Sequence, residues 1–273
     1  MTTPGAELHG MHRARVGTGL PSLRSMSYFA YAYRRTWRGS LATSFLYPVL
    51  YLSAMGLGLG TLVNHNTGHV DGVGYLEFLA PGLLASTAMQ VGSNEAMYPV
   101  MAAIKWLRTY FAMLASPLSV VDVLAGHLVW IAARLGLVSV IYLAVMAAFG
   151  TVLSPFALAA LPVAVLTGVA FAAPIAAFSA TQTNDVGFST LYRIVLVPLF
   201  LFSGTFFPVD RLPGWLQPVA DATPLEHGVA LCRALVLGHP GGWAAAGDAG
   251  YLLALAALGT VAAHFTYRRR LVT

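Results

Sequence analysis

The sequence predicts an all-α polytopic membrane protein with six transmembrane helices, an N-terminal interfacial helix, and re-entrant half-helices between spans 5 and 6. Three observations predict it. Hydrophobic residues make up 58% of the 273 and charged residues 9%, with a mean hydropathy of +0.72; soluble domains carry roughly 25% charged residues. Apolar runs that approach the bilayer requirement of about 20 residues recur along the chain. Between the last two runs, Pro198 to Gly238 is too apolar for a solvated loop and too broken for a span, being cut at Gly204, Pro208, Pro213, Pro218 and Pro224. Backbone broken in this way is tolerated at membrane depth only where protein or a watery cavity covers its polar groups.

Residues 1–24 contain Pro4, Gly5, Gly10, Gly17, Gly19 and Pro21 and read as a flexible tail, leaving 25–273 as one transmembrane domain. Met1 to Leu23 has no apolar h-region, so the first span is expected to act as its own insertion signal. Ser25 to Ser40 alternates aromatics with Arg34, Arg35 and Arg38. It reads as a helix lying in the interface, with rings at headgroup depth and arginines towards anionic lipid.

Span 1 is expected over 41–63, with Pro48 inside it and glycines from Gly56 to Gly60 near its end. Span 2 is expected over 78–100 and carries Gln90, Asn94 and Glu95 on its inner half. Met101 to Leu114 then reads as an amphipathic helix, with Ile104, Leu107, Phe111 and Leu114 on one stripe and Lys105 and Arg108 flanking it. Spans 3 to 6 are expected over 121–149, 156–180, 189–207 and 249–267, with 208–238 re-entrant.

Twelve of the 15 Lys and Arg fall on one side of this arrangement: six ahead of span 1, then Lys105 and Arg108, Arg193, and Arg268 to Arg270. Arg211 and Arg233 lie on the other side and Arg134 within a span. The positive-inside rule therefore places both termini in the cytoplasm, with the chain in the inner (plasma) membrane. The net charge of +5 reports orientation in the same way and does not point to nucleic acid.

Glu95, Asp122, His127 and Arg134 fall within or at the ends of expected spans, where ionisable groups are functional candidates by default. Two readings stay open: interface residues with an interhelical pair involving Arg134, or a proton relay, which would make the chain a proton-coupled secondary transporter. His65, His69 and Asp71 have metal-ligand chemistry, but Asn66-Thr67-Gly68 argues against the shared helix face they would need, so no metal site is expected. Cys232 is the only cysteine, which excludes an intramolecular disulfide. No Ser/His/Asp or Cys/His set suggests hydrolysis, and catalytic residues are expected to be none. A nucleotide-binding loop needs Gly-Lys-Ser/Thr, whereas the sole lysine sits in Ile104-Lys105-Trp106.

The run Phe202-Ser203-Gly204-Thr205-Phe206-Phe207-Pro208, then Leu212-Pro213-Gly214-Trp215-Leu216, Pro224-Leu225 and Arg233-Ala234-Leu235, resembles the signature of type-2 ABC exporter permeases. These are the membrane subunits of drug-resistance and nodulation-type lipo-oligosaccharide systems. Pro48-Val49-Leu50, Leu79-Ala80-Pro81-Gly82-Leu83, and Thr109-Tyr110 with Ala112 to Leu118 extend the likeness over nearly the whole chain. One departure stands out: where the family pattern has an acidic residue after Thr-aromatic, this chain has Phe111.

The resemblance implies a transport subunit with no cofactor of its own, ATP and Mg being bound by separate ABC ATPase subunits. It implies pairing with a second permease copy or paralogue, membrane lipid as surroundings, and an amphiphilic substrate. The ATPase-coupling helix would comprise Ile104, Lys105, Leu107, Arg108, Tyr110 and Phe111. An outer gate would be built from Phe202, Gly204, Phe206, Phe207, Pro208, Pro213, Trp215 and Pro224.

Overall fold

The structure, a computed structural model, describes residues 21–35, 37–60, 70, 72–239 and 241–272. Most of the expected tail, and His65, His69 and Asp71, lie outside the described residues. Helices dominate, and among the described residues the only β pairing is an isolated bridge between Val70 and Val73.

Helix α1 (Pro21–Tyr33) starts on a proline, the residue whose missing N–H costs nothing at a helix N-terminus. It stops at Arg34–Arg35, and Trp37 opens helix α2 (Trp37–Ser53). The interfacial helix expected over 25–40 is therefore two pieces. Its last residues, from Trp37, belong to α2, which covers much of the expected span 1 and runs on through a wide π-helical stretch over Ala54–Gly60. Helix α3 (Tyr75–Met101) begins where Glu77 accepts from the Gly74 N–H at 3.0 Å, satisfying one orphan donor of the first turn. It passes into a second π-helical turn, Ala102–Trp106, and then into the short helix α4 (Thr109–Leu114).

Helix α5 (Val120–Ala148) opens on a reciprocal cap. Ser119 Oγ accepts from the Asp122 N–H at 3.2 Å, and Asp122 Oδ2 accepts from the Ser119 N–H at 2.9 Å. Ser154 and a 3-10 turn over Pro155–Ala159 lead into helix α6 (Ala160–Thr181). Beyond it come α7 (Val186–Leu191), a π-helical turn over Tyr192–Leu196, and α8 (Val197–Phe202). After the break follow α9 (Gln217–Asp221), α10 (Pro224–Leu237) and α11 (Gly242–Leu271).

Helix α6 is the centre of the bundle, packing against α3, α5, α10 and α11. Small residues make that closeness possible. A Cβ on Gly92 of α3 would collide with the backbone of Gly168 on α6, so the two helices meet backbone to backbone, the arrangement that favours small residues between helices in lipid.

Three helical segments among the described residues are by themselves long and apolar enough to cross a membrane: Val120–Ala148, Pro155–Thr181 and Gly242–Leu271. Val186–Phe202 is apolar but shorter, because it ends five residues before the expected limit of span 5 at Phe207. Helix α3 has the length at 27 residues, yet carries Glu77, Gln90, Asn94 and Glu95. The protein is a helical membrane protein of which three spans are evident from length and composition.

Candidate functional site

Three places concentrate the unusual features, the first being the turn after α3. The residues from 101 to 114 do not form the single amphipathic helix that their spacing suggests. The π-helical turn adds a residue to the helical repeat, closing with Leu107 N–H donating to Ala102 O at 2.8 Å. Arg108 then adopts φ +51°, the one positive φ at a non-glycine among the described residues. A left-handed residue with a Cβ costs about 1–2 kcal/mol, and here it ends the helical run and stands as the N-cap of α4.

The expected stripe is split across that turn. Ile104 is 6% exposed and joins the core, whereas Leu107 is 66% and Phe111 37% exposed beside Trp106. The Arg108 guanidinium lies 5.7 Å from the centre of the ring of Phe111, the residue that stands where the family pattern has an acid. Lys105 Nζ donates to the Thr183 carbonyl at 2.7 Å and ties this turn to the loop after α6. Tyr110 points the other way and is fully buried.

The second place is the break between α8 and α9. Gly204 has φ +74°, a conformation glycine adopts without steric cost. Two long-range contacts hold it. Ser86 and Thr205 share a buried hydroxyl hydrogen bond at 2.8 Å, and Arg233 of α10 donates to Gly204 O at 2.7 Å and to Phe78 O at 3.3 Å. The same guanidinium sits 3.8 Å from the centre of the Phe78 ring. Phe206 packs edge-on against Phe200 at 5.0 Å, while Phe202 and Phe207 point outward. Pro208 opens a 3-10 turn, Pro213 begins the turn that carries exposed Trp215, and Gln217 Nε2 knits this loop to the carbonyls of Asp210 and Leu212. Pro224 starts α10 behind the Thr223 cap. Arg233 was not singled out as a site residue, although a lone arginine in an apolar helix was the available signal.

The third place is a hollow of about 260 Å³ between α2, α3, α5 and the π-helical turn after α7, lined among others by Thr43, Tyr51, Thr87, Gln90, Asn94 and Arg134. Two smaller hollows of about 170 and 210 Å³ adjoin it. One shares Asn94 and Tyr192 and reaches Arg193; the other shares Tyr51, Gln90, Tyr192 and Phe200 and adds Leu196 and Val197. Arg134 is ion-paired with Glu95, donates to Ser40 Oγ at 2.8 Å, and faces the Tyr33 ring at 5.2 Å. Asp122 is not part of this group, being spent in the cap of α5.

A further charged group ties α10 to α11. His227 Nδ1 lies 2.8 Å from Asp248 Oδ1 and 3.7 Å from Glu226 Oε2. Burial pushes the Glu226 carboxyl from an ordinary 4.5 up to about 7; His227 opposes the shift, Asp248 and Asp221 reinforce it, and Arg233 opposes it. Because the folded state holds this proton to higher pH than the unfolded state, its contribution is complete below about pH 4.5 and is lost as pH rises through 7. Thermal unfolding in detergent at pH 5 and pH 8 should show a higher midpoint at pH 5, and Glu226→Gln should flatten that difference. An equal slope in the variant would assign it elsewhere.

Among the described residues the chain is a helical membrane bundle, with a helix broken against Arg233 and an apolar turn flanked by Lys105 and Arg108. Residues 26–237 match the ABC-2 type transporter family, and the chain belongs to it. Nodulation protein J of Rhizobium leguminosarum bv. trifolii is 35% identical over 209 residues, 77% of this chain and 78% of that protein. The Nodulation protein J of Bradyrhizobium diazoefficiens is 33% identical over 242 residues, 88% of this chain and 90% of its own length. A shorter likeness, 38% over 64 residues (23% of this chain and 21% of the relative), is to the daunorubicin resistance ABC transporter permease protein DrrB1 of Streptomyces coeruleorubidus. The chain is thus an ABC transporter membrane subunit, and the secondary-transporter reading of Glu95, Asp122 and Arg134 is set aside.

Proposed function

We propose that this subunit exports an amphiphile (a drug, a lipid or a lipid-linked saccharide) across the plasma membrane, driven by ATP and Mg held on separate ABC ATPase chains. The observation that carries the reading is the line of three adjoining hollows. It extends from Arg193, on the side that the positive-inside rule would assign to the cytoplasm, to Phe200 of α8, just before the break. Thr87, Gln90 and Asn94 of α3 line it with Thr43 and Arg134 and with the rings of Tyr51, Tyr192 and Phe200, a lining suited to a ligand with both polar and apolar surface.

In this reading α2 with its π-helical extension, α3, α5, α6, Val186–Phe202 and α11 are six spans with both termini cytoplasmic. Helix α10 is the re-entrant arm, and a second permease copy or paralogue closes the open side of the hollows. ATP-driven closure of the ATPases pushes on the turn at Trp106, Leu107 and Phe111 and rocks the two halves, so that the amphiphile leaves past Phe206.

Inside-out vesicles from cells co-expressing this chain with its ABC ATPase test the reading, with daunorubicin and a lipid-linked saccharide as probes. MgATP-dependent accumulation of either probe is expected when both chains are present and none with either chain alone. Uptake driven by a pH gradient without the ATPase would overturn it.

A further inference from the structure

Helix α4 is six residues long, and Tyr110 is its one fully buried side chain. Everything else that α4 presents is exposed or half-buried. The socket that receives Tyr110 is built from three other elements. Its hydroxyl shares a 2.7 Å hydrogen bond with Nδ1 of His127, itself buried on α5. The opposite face of the imidazole environment is Phe29 of α1, stacked nearly parallel to the His127 ring at 4.7 Å. Tyr267, buried near the end of α11 just before Arg268 to Arg270, lies tilted against Tyr110 at 5.6 Å. Ser25 Oγ adds a bond from α1 to the Asp122 carbonyl at the base of α5, 3.1 Å away.

The contact is specific in a way that packing alone does not require. A phenylalanine would fill the same space, and His127 Nε2 finds no partner among the described residues, so the only hydrogen bond recorded for this deeply buried imidazole is the one to Tyr110. The left-handed Arg108 stands two residues upstream, at the turn where Tyr110 is placed inward and Leu107 and Phe111 outward. Backbone strain of this kind persists only where surrounding contacts over-determine it.

We infer that Tyr110 is the positioning residue that carries movement of the ATPase-facing turn into the membrane, by locking α4 to α5, α1 and α11 through its hydrogen bond to His127. This rests on the exporter reading for the movement it transmits, and on the geometry of one chain for the lock itself. The route is short: a push on Leu107 and Phe111 tilts α4, Tyr110 draws His127 with it, and the stacked Phe29 brings the α1 helix along. Helix α5 carries Arg134 two turns further on, so a tilt at His127 reaches the hollow that Arg134 lines.

The test uses the permease with its ATPase in proteoliposomes and reads amphiphile moved per ATP hydrolysed. Tyr110→Phe and His127→Leu should each lower that ratio about five- to tenfold, the factor expected from one buried hydrogen bond. His127→Gln, whose amide can still meet the Tyr110 hydroxyl, should restore it to within about twofold. Equal ratios in the Leu and Gln variants, or an unaltered ratio in Tyr110→Phe, would overturn the inference. A second arm needs no ATPase: in the isolated permease, amides 109–114 should exchange hydrogen faster in Tyr110→Phe than in the wild type, while those of α6 keep their rates. Unaltered exchange at 109–114 would sink the lock. A wild-type pair that moves no amphiphile would remove the exporter reading and leave this second arm to decide the lock.

Discussion

Leu107→Asp is expected to abolish the permease's stimulation of its proposed ATPase partner and to leave the permease itself folded. Leu107 is 66% exposed, so an aspartate there costs the isolated subunit little. In the docked complex the same carboxylate would be buried against an apolar contact with no partner. Uncompensated buried charges cost about 3–5 kcal/mol, or roughly two to three and a half decades in affinity. Phe111→Asp should act in the same direction and also removes the ring beneath Arg108. Ile104→Asp separates the two kinds of defect: its side chain is in the core, so it should lower thermal stability and yield. Co-purification of the ATPase with each variant, with hydrolysis measured on the purified pairs, checks the expectation. Undiminished stimulation by Leu107→Asp would move the docking site away from this turn.

What could be read in advance follows from how local each cause is. Gly204, Pro208, Pro213 and Pro224 announced a break because glycine and proline act on their own backbone. The cap formed by Ser119 and Asp122 also stands at legible spacing, but in the sequence Asp122 reads as an ionisable candidate near a span end instead. The π-helical turn at Ala102–Trp106 was not legible: it shifts the helical phase by one residue without using a helix breaker, so Ile104 and Leu107 looked like neighbours on one stripe and end on opposite sides. The positive φ at Arg108 carried no signal either, since arginine is not a residue that seeks it. Arg233 and Glu95 find their partners 29 to 155 and 39 positions away in sequence. Such pairings come from the assembled bundle, and composition can flag the charge without naming what it meets.

Gly204→Leu is expected to block export while the ATPase still docks and binds nucleotide. The substitution places a branched side chain at φ +74°, at a cost of about 1–2 kcal/mol, and its Cβ would lie 3.1 Å from Val209 Cγ2. The break must then shift, and with it the carbonyl that receives Arg233 at 2.7 Å. Arg233→Leu should loosen the same closure from the other side. It removes charge-assisted bonds to two carbonyls, each worth about 1.5–3 kcal/mol, together with the contact to the Phe78 ring. Phe206→Ala opens the path differently. It deletes the ring packed on Phe200, an edge-on pair worth about 0.5–1.5 kcal/mol beyond its burial. ATP should then be hydrolysed with roughly tenfold less amphiphile exported per turnover, equivalent to about 1.4 kcal/mol. Phe207→Ala should matter less, because that ring already points outward. The measurement is export per ATP in inside-out vesicles, alongside co-purification of the ATPase. Normal export by Gly204→Leu at wild-type expression would show that the break is a passive loop and that Arg233 pins it for stability alone.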